Sequence, residues 1–178
     1  MRIIAGSKRG KKMITLEGEK LRPTTDRVKE SLFNILQFRI EGRSFLDLFA
    51  GSGQIGLEAL SRGASQAFFV DNNRSADTVL RQNIKSTGFE SKSEIYIGDY
   101  RSFLAHTGNN FDMIFLDPPY LEDMFESALE AAVDYVKLSG LMVCEHPSKI
   151  VLPETVKNFG VHKSYRYGKI MLTVYQAL

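Results

Sequence analysis

Short apolar runs alternate with amphipathic segments along most of the chain. The apolar runs predict five strands, at residues 44–48, 66–71, 94–98, 111–116 and 138–145. Apolar residues at helical spacing predict helices between and after them, at 54–62, 73–86, 122–135 and briefly after Asp99. Because a helix follows almost every strand, we expect parallel strands in one sheet with helices packed on both faces.

The end of the chain follows a different pattern. A weak helical segment is predicted near 153–158, and strand patterns follow over 161–167 and 169–176. These two strands meet at Tyr167-Gly168, which predicts an antiparallel hairpin. Five parallel strands closed by an antiparallel pair are typical of Class I methyltransferases. The predicted fold class is therefore α/β, with a Rossmann-like, mostly parallel sheet and a C-terminal antiparallel hairpin.

The beginning of the chain predicts a β-hairpin followed by a helix. Segments 2–6 and 12–16 look like short strands, and a basic turn containing glycine separates them. After a linker, Thr24 or Thr25 can cap a helix whose apolar stripe runs to Ile40.

Charge is distributed unevenly along the 178 residues, whose net charge is +2. Residues 1–43 hold eleven Lys/Arg against five Asp/Glu, whereas residues 44–178 hold twelve against sixteen. A basic front segment on a mildly acidic body predicts a polyanionic partner, although a merely solvated arm has the same composition. We therefore divide the chain into a basic N-terminal extension, 1–43, and a main domain, 44–178.

Seven residues of the extension are candidate phosphate contacts. Four lie in or beside the predicted basic turn, and three lie near the predicted helix start, where unpaired backbone N–H groups attract anions. An ordinary helix cap with surface arginines is the alternative for the second group. The candidates are Lys8, Arg9, Lys11, Lys12, Arg22, Thr24 and Arg27.

Composition argues against a membrane-spanning protein, a secreted protein and a protein held by disulfides or a cysteine metal cluster. The length suits one domain with a full core. No apolar run reaches membrane-spanning length, and the N-terminus lacks the apolar segment of a signal peptide. Cys144 is the only cysteine, so an intrachain disulfide or a cysteine metal cluster is impossible. We expect a cytoplasmic protein without a metal or a membrane partner.

A glycine-rich loop, Asp47 to Gly56, follows the first predicted strand. Gly51, Gly53 and Gly56 have the dinucleotide-binding spacing, and Asp71 comes 20 residues after Gly51 at the end of the second strand. A carboxylate in that position can accept from both hydroxyls of a ribose. Alone, the loop fits NAD and S-adenosylmethionine almost equally.

Three features favour S-adenosylmethionine. Asp47 precedes the loop, where a carboxylate can meet the ammonium group of the methionine but would repel a pyrophosphate. Asp99 ends the third strand, where it can accept from the adenine amino group beside Tyr100, cap the next helix, or do both. The motif after the fourth strand suits an amine acceptor. The predicted cofactor contacts are Asp47, Phe49, Ala50, Gly51, Ser52, Gly53, Asp71, Asn72, Asp99 and Tyr100.

The motif after the fourth strand is Asp117-Pro118-Pro119-Tyr120. It lies at the edge where open α/β sheets bind ligands. Asp117 is an acceptor-only group, the prolines supply carbonyls with no competing N–H, and Tyr120 offers a flat face for a planar ring. A planar group carrying an NH2 would be held by oxygen acceptors and stacked by the tyrosine. A strand that ends in a solvated proline turn is the alternative.

With these motifs the chain resembles the RsmD family, bacterial methyltransferases that act on a guanine exocyclic amine of 16S ribosomal RNA. The resemblance covers nearly the whole chain and is carried by residues 2–6, 21–30, 47–53 and 117–120. It implies S-adenosylmethionine as cofactor and the N2 amine of a guanine in 16S rRNA as target, on the small subunit or an assembly intermediate. It also implies RNA binding by the extension and a catalytic role for Asp117, Pro118, Pro119 and Tyr120.

The residues also allow other functions. An amino-methyltransferase for DNA adenine or protein glutamine can carry the same Pro-Pro-Tyr motif. A non-catalytic RNA-binding assembly factor and an NAD oxidoreductase are further alternatives.

Near the edge that contains Asp117, Glu145-His146-Pro147 ends the fifth strand, and His146 is more typical of a structural histidine than of a substrate contact. Tyr165, Arg166 and Tyr167 are expected to form an ordinary hairpin end, with an RNA-facing edge as the alternative.

Overall fold

We describe the protein from a computed structural model, which covers residues 1–15, 26–120 and 122–178. The strands are β1 (Ser44–Asp47), β2 (Gln66–Asp71), β3 (Ser93–Ile97), β4 (Phe111–Leu116), β5 (Val136–Pro147), β6 (Thr155–Val156), β7 (Phe159–Tyr167) and β8 (Ile170–Ala177). The helices are α1 (Asp26–Leu36), α2 (Gln54–Ser61), α3 (Arg74–Thr87), α4 (Tyr100–His106) and α5 (Glu122–Ala132), with 3-10 turns at Glu90–Lys92 and Val133–Tyr135.

All strands belong to one sheet with the order β3-β2-β1-β4-β5-β8-β7-β6. The first five strands are parallel, and β8, β7 and β6 continue the sheet in antiparallel pairs. The predicted parallel sheet and C-terminal hairpin are therefore confirmed. Because the chain order reverses between β1 and β4, the carboxyl ends of these strands flank the crevice where such sheets bind ligands.

The central strands are buried on both faces, which explains their nearly continuous apolar sequences. Phe45 and Leu46 are neighbours on β1, yet they belong to two separate cores on opposite sides of the sheet. The first core includes residues of α1, α2 and α3, and the second includes residues of α4 and α5. In the described parts of the chain, no helix has the length and apolarity needed to cross a membrane.

One predicted element is wrong. Residues 153–158 were expected to be helical, but the structure contains the short strand β6 and a turn at Lys157, whose φ is +52°. Pro153 lacks a backbone N–H, and its carbonyl accepts a 2.7 Å hydrogen bond from the buried Tyr175 hydroxyl. This tertiary contact and the pairing of β6 with β7 outweigh the weak local helical preference.

The N-terminal hairpin is shorter than predicted. It closes around a turn with one antiparallel bridge, Arg2 to Lys12, and Ile3 exchanges backbone hydrogen bonds with Lys11 and Gly10. Pairing ends there because the N–H groups of the next two residues point to a carboxylate of the main domain. Ile3 and Met13 pack in the same core as α2 and β1, together with the apolar face of α1.

That carboxylate belongs to Glu58 on α2, which is fully buried. Its two oxygens accept from the backbone N–H groups of Ile4 at 2.7 Å and Ala5 at 2.9 Å. Lys29 Nζ lies 3.8 Å from Glu58, and Arg62 Nε lies 2.8 Å from it. Lys29 is also fully buried, and this burial lowers the pKa of its ammonium group. The network joins the hairpin, α1 and α2 around one buried charge.

We expect Glu58→Gln to lower the free energy of unfolding by about 3–5 kcal/mol, because it leaves the buried Lys29 without its opposing charge. Urea unfolding followed by circular dichroism measures this change. Glu126→Gln, an exposed glutamate on α5, is the control and should change stability by less than about 0.5 kcal/mol. A Glu58→Gln protein as stable as the control would contradict the anchoring role.

Candidate active site

The register of the parallel sheet brings acidic side chains to one edge. Asp47 ends β1 and Asp71 ends β2, and their strands pair directly. Asp117 follows Leu116, the last residue of β4, which pairs with Cys144 on β5, so Glu145 stands next to Asp117. The carboxyl ends of four adjacent strands thus place four carboxylates along one edge of the crevice.

Asp117 lies in an environment that disfavours its ionised form. It is half-buried, and burial, the charge of Glu145 and the charge of Asp47 raise the pKa of its carboxyl well above the usual range. None of the ion pairs between described residues involves Asp117. An amine donor or a cation brought to this point would replace the hydration that the carboxylate has lost.

The other members of the Asp-Pro-Pro-Tyr motif differ in exposure. Pro118 is buried, whereas Pro119 is exposed. Tyr120 is 45% exposed, and its ring centroid lies 6.0 Å from that of Phe125 on α5. One face of the motif is therefore fixed by protein while an aromatic surface remains available to a ligand.

Glu145 is the residue of this edge whose importance we did not predict. It is only 3% exposed, and its charge adds to burial in raising the pKa of the Asp117 carboxyl. The signal was present in the sequence, since a glutamate ending a strand that pairs with β4 must lie beside Asp117. In the described ranges, no cluster of three or more His, Cys, Asp or Glu side chains has an arrangement suited to a metal ion.

The three glycines of the loop have different roles. Gly51 has a φ of +52°, and a Cβ placed on it would meet no atom within 4 Å. A Cβ on Gly53 would lie 2.4 Å from Leu80, and one on Gly56 would lie 2.3 Å from the Phe69 ring. Gly53 and Gly56 therefore allow α2 to pack closely, whereas the space beside Gly51 is open, next to the Asp71 carboxylate that its N–H contacts.

Two of the predicted cofactor carboxylates hold the loop in place. Asp71 accepts from Gly51 N at 2.7 Å and from Asn73 N at 2.8 Å, which leaves further lone pairs on both oxygens for a ribose. Asp47 is 1% exposed and accepts from Gly56 N at 2.9 Å. Burial raises the pKa of Asp47 to about 7, so an ammonium group nearby would favour its ionised form.

The remaining predicted cofactor contacts are divided between surface and core. Asp99 is exposed and caps α4 through a 3.0 Å hydrogen bond from Ser102 N. Tyr100 points into the second core, 5.3 Å from the Phe49 ring, so its backbone rather than its ring is available to an adenine. The Ala50 N–H donates a 2.9 Å hydrogen bond to the Val70 carbonyl of β2. Ser52 is partly buried, and Asn72 is exposed. A role for these residues stays a prediction.

His146 has the structural environment that we expected. It is 3% exposed, its Nε2 lies 2.9 Å from the Thr173 hydroxyl, and its Nδ1 lies 3.1 Å from the Pro147 carbonyl. Burial lowers its pKa, which favours the neutral imidazole. Its ring packs edge-on against Phe125, the residue that supports Tyr120.

The candidate phosphate contacts separate into distinct groups. Arg9, Lys11 and Lys12 are exposed in the hairpin. Lys8 instead lies over the Phe89 ring, with its ammonium nitrogen 5.7 Å from the ring centroid. Arg27 is exposed in the first turn of α1, and the predicted contacts Arg22 and Thr24 lie outside the described residues.

Asn83 on α3 links the hairpin to the glycine loop, which the sequence did not indicate. Its amide nitrogen donates to the carbonyls of Ile14 and Ser52, both at 2.9 Å. Its amide oxygen accepts from Ile14 N at 2.8 Å. The side chain is 1% exposed, so a buried amide supports both the end of the hairpin and the loop that borders the candidate cofactor space.

The sheet order, the glycine loop and the acidic edge define a Class I, S-adenosylmethionine-dependent methyltransferase fold. A solved structure from Escherichia coli, described as a putative methyltransferase (yhhF), superimposes with a TM-score of 0.89. The two sequences are 34% identical, and the match covers 99% of this chain and 97% of the other.

Sequence comparison identifies the family. The model of the family described as Conserved hypothetical protein 95 matches residues 1–176. Ribosomal RNA small subunit methyltransferase D of Escherichia coli K12 is 34% identical over 99% of this chain and 89% of its own length. The protein of the same name from Haemophilus influenzae is 36% identical over 99% and 93%. The chain belongs to this family, the RsmD family, as its motifs predicted.

We expect Gly51→Ala to weaken S-adenosylmethionine binding at least about tenfold while leaving the fold intact, because the added methyl group enters the open space. Gly108→Ala is a matched control, since Gly108 has a φ of +60° and a Cβ there would also meet no atom within 4 Å. Both variants should lose similar stability from the backbone strain.

Calorimetric titration and thermal unfolding of the two variants check this expectation. Equal affinity for S-adenosylmethionine in both would show that the space at Gly51 is not where the cofactor binds.

Proposed function

We propose that this protein transfers a methyl group from S-adenosylmethionine to the exocyclic N2 amine of a guanine in 16S ribosomal RNA. The proposal rests on the position of Asp117, which is half-buried beside Pro118 at the edge that also contains the open space at Gly51. An acceptor-only group at that point fits an amine donor. The cytoplasmic location predicted from the sequence is part of the same proposal.

The chain's own residues account for activation of the amine. The lone pair of a guanine amino group is delocalised into the ring, which makes it a poor nucleophile. When the Asp117 carboxylate and the Pro118 carbonyl accept its two hydrogens, the nitrogen becomes pyramidal. Its lone pair can then point toward the methyl group that it attacks. The bound cofactor supplies the electrophilic methyl group, so the protein contributes mainly alignment and polar stabilisation.

The target base must leave its stack before it can reach this edge. Tyr120 offers the replacement surface, because its half-exposed ring is supported from behind by Phe125. His146 in turn packs against Phe125 and stays neutral, which gives the aromatic wall a rigid backing. Stacking of a base on an aromatic side chain contributes about 1–3 kcal/mol.

Proton release after methylation requires no strong base. An N-methylated amino cation is very acidic, so Asp117 or water can take its proton. The raised pKa of Asp117, which results from burial and then from the charge of the adjacent Glu145, suits it for this role.

The choice of ribosomal RNA as substrate class draws on the relatives. Proteins named Ribosomal RNA small subunit methyltransferase D match almost the whole chain, including its basic N-terminus. We propose the assembled or assembling small subunit as the natural form of the substrate. Methylation assays on 16S RNA, small subunits, duplex DNA and protein test this choice. Transfer to DNA or protein instead of RNA would overturn it in favour of another amino-methyltransferase.

We expect Asp117→Asn to lower the methylation rate about 100- to 1,000-fold, because the amide replaces one acceptor with a donor that opposes the substrate amine. Binding of S-adenosylmethionine should persist. Single-turnover methylation and calorimetric titration measure the two effects separately. Asp123→Asn, an exposed carboxylate on α5, is the control and should retain full activity. Wild-type turnover by the Asp117 variant would refute the assignment.

The pH at which activity rises should change when Glu145 is replaced. Asp117 accepts a hydrogen bond best when ionised, so kcat/KM for RNA, measured with saturating S-adenosylmethionine, should rise as pH passes through its raised pKa. Glu145→Gln removes one of the charges that raise this pKa, so the rise should move to lower pH. Glu154→Gln, an exposed glutamate, should leave the profile in place. A rise that stays fixed or moves to higher pH in Glu145→Gln would contradict the proposed pairing.

The exposed cations of the hairpin turn should contribute to RNA affinity. Replacing Arg9, Lys11 and Lys12 with Gln should weaken RNA binding and reduce the salt dependence of log K by about 2, because three phosphate contacts are lost. Lys8→Gln is compared with the single variant Arg9→Gln, and the effect of Lys8→Gln should be the smaller of these two because its ammonium group packs on Phe89. Fluorescence anisotropy at several salt concentrations measures both. An unchanged slope in the triple variant would reject the contact.

A further inference from the structure

Basic residues concentrate at both ends of the chain and acidic residues in the middle. Residues 1–43 have a net charge of +6, from eleven Lys/Arg and five Asp/Glu. Residues 44–145 carry seven Lys/Arg and fifteen Asp/Glu, a net charge of −8. Residues 146–178 carry five Lys/Arg against the single acid Glu154, a net charge of +4. The acidic middle includes the candidate active site, so a polyanion is repelled by the very region that must receive its base.

The C-terminal basic segment returns to that site through the sheet. Tyr167 pairs with Ile170 at the tip of the β7–β8 hairpin, and Ile170 pairs with Pro147 at the end of β5. Ser148 N donates a 2.8 Å hydrogen bond to the Lys169 carbonyl, which closes the tip against the chain that leaves β5. The hairpin tip therefore lies at the same edge as Asp117.

Arg166 also lies on the same face of the sheet as Tyr120. It is paired with Met171, which is paired with His146, and residues directly opposite in a sheet share a face. The His146 ring contacts Phe125, which contacts Tyr120. With strands about 4.8 Å apart, β7 is three steps from β4, or about 14 Å. This is within the reach of the nucleotides next to a base at Asp117.

Three cations at this tip are exposed: Lys149, Arg166 and Lys169. None of them forms an ion pair with an acidic residue of the described ranges. Arg166 Nε donates to the Gly168 carbonyl at 3.1 Å, which directs the guanidinium along the tip. Tyr167 is half-buried against the first core and anchors the turn that carries them.

We propose that Lys149, Arg166 and Lys169 form a second RNA contact that binds the backbone phosphates of nucleotides beside the extruded target. The contact rests on the proposed function. It neutralises phosphates that would otherwise approach the acidic edge. The three positive charges hold the flanking backbone in place while the target base enters the pocket.

The test is the variant Lys149→Gln, Arg166→Gln, Lys169→Gln, compared with Arg39→Gln, Lys85→Gln, Lys92→Gln. The comparison variant removes the same charge from three exposed positions elsewhere on the protein. RNA affinity is measured by anisotropy from 50 to about 300 mM salt, alongside S-adenosylmethionine affinity and thermal unfolding. If all three tip residues bind phosphates, the salt slope falls by about 2, and affinity near 0.1 M salt falls about 10- to 100-fold.

The expected result is this loss in the tip variant, a smaller loss in the comparison variant, and unchanged cofactor binding in both. Equal RNA affinity and slope in the two variants would overturn the proposal. The wild-type protein tests the proposed function separately. If the wild type methylates RNA but the tip variant binds RNA as well as the wild type does, only the second contact is rejected. A wild type that binds or methylates no RNA rejects the proposed function, and the second contact with it.

Discussion

Burial of carboxylates at the carboxyl edge of the sheet is the constraint on which the site depends. Parallel register places Asp47, Asp71, Asp117 and Glu145 on adjacent strands. Asp47 and Glu145 are buried there, and Asp117 is partly buried. The pKa values of Asp47 and Asp117 rise as a result. Such an edge favours ligands that bring positive charge or hydrogen-bond donors, and a methyl-transfer reaction to an amine supplies both.

The same constraint explains the arrangement of the rest of the chain. An acidic pocket repels nucleic acid, so cations that attract RNA would have to stand around the pocket rather than in it. The excess of basic residues lies in the two terminal segments of the chain. Glu58 and Asn83 fix the N-terminal hairpin to α2 and α3, and sheet pairing fixes the C-terminal hairpin to β5. The basic surfaces are thereby held in a defined relation to the acidic edge.

Much of this could be predicted from the sequence, because the signals are local. Apolar runs located β1–β5, and Gly51, Asp71 and Asp117 stand at strand ends that parallel pairing must bring together. The structural features that the sequence did not predict depend on contacts between distant segments. The helix expected at 153–158 is replaced by pairing with β7, and the hairpin is shortened by the buried Glu58. Asn83 gives no pattern in the sequence, since its partners lie 69 and 31 residues away.

We propose that paired oxygen acceptors hold an exocyclic amine for methylation. The most direct measurement is to methylate 16S RNA with this protein and to locate the new methyl group by mass spectrometry of the isolated nucleoside. We expect the new methyl group on the exocyclic N2 of guanine. A methyl group on a ring nitrogen, a ring carbon or a ribose oxygen would contradict this expectation, because Asp117 and the Pro118 carbonyl would then have no amine hydrogens to accept.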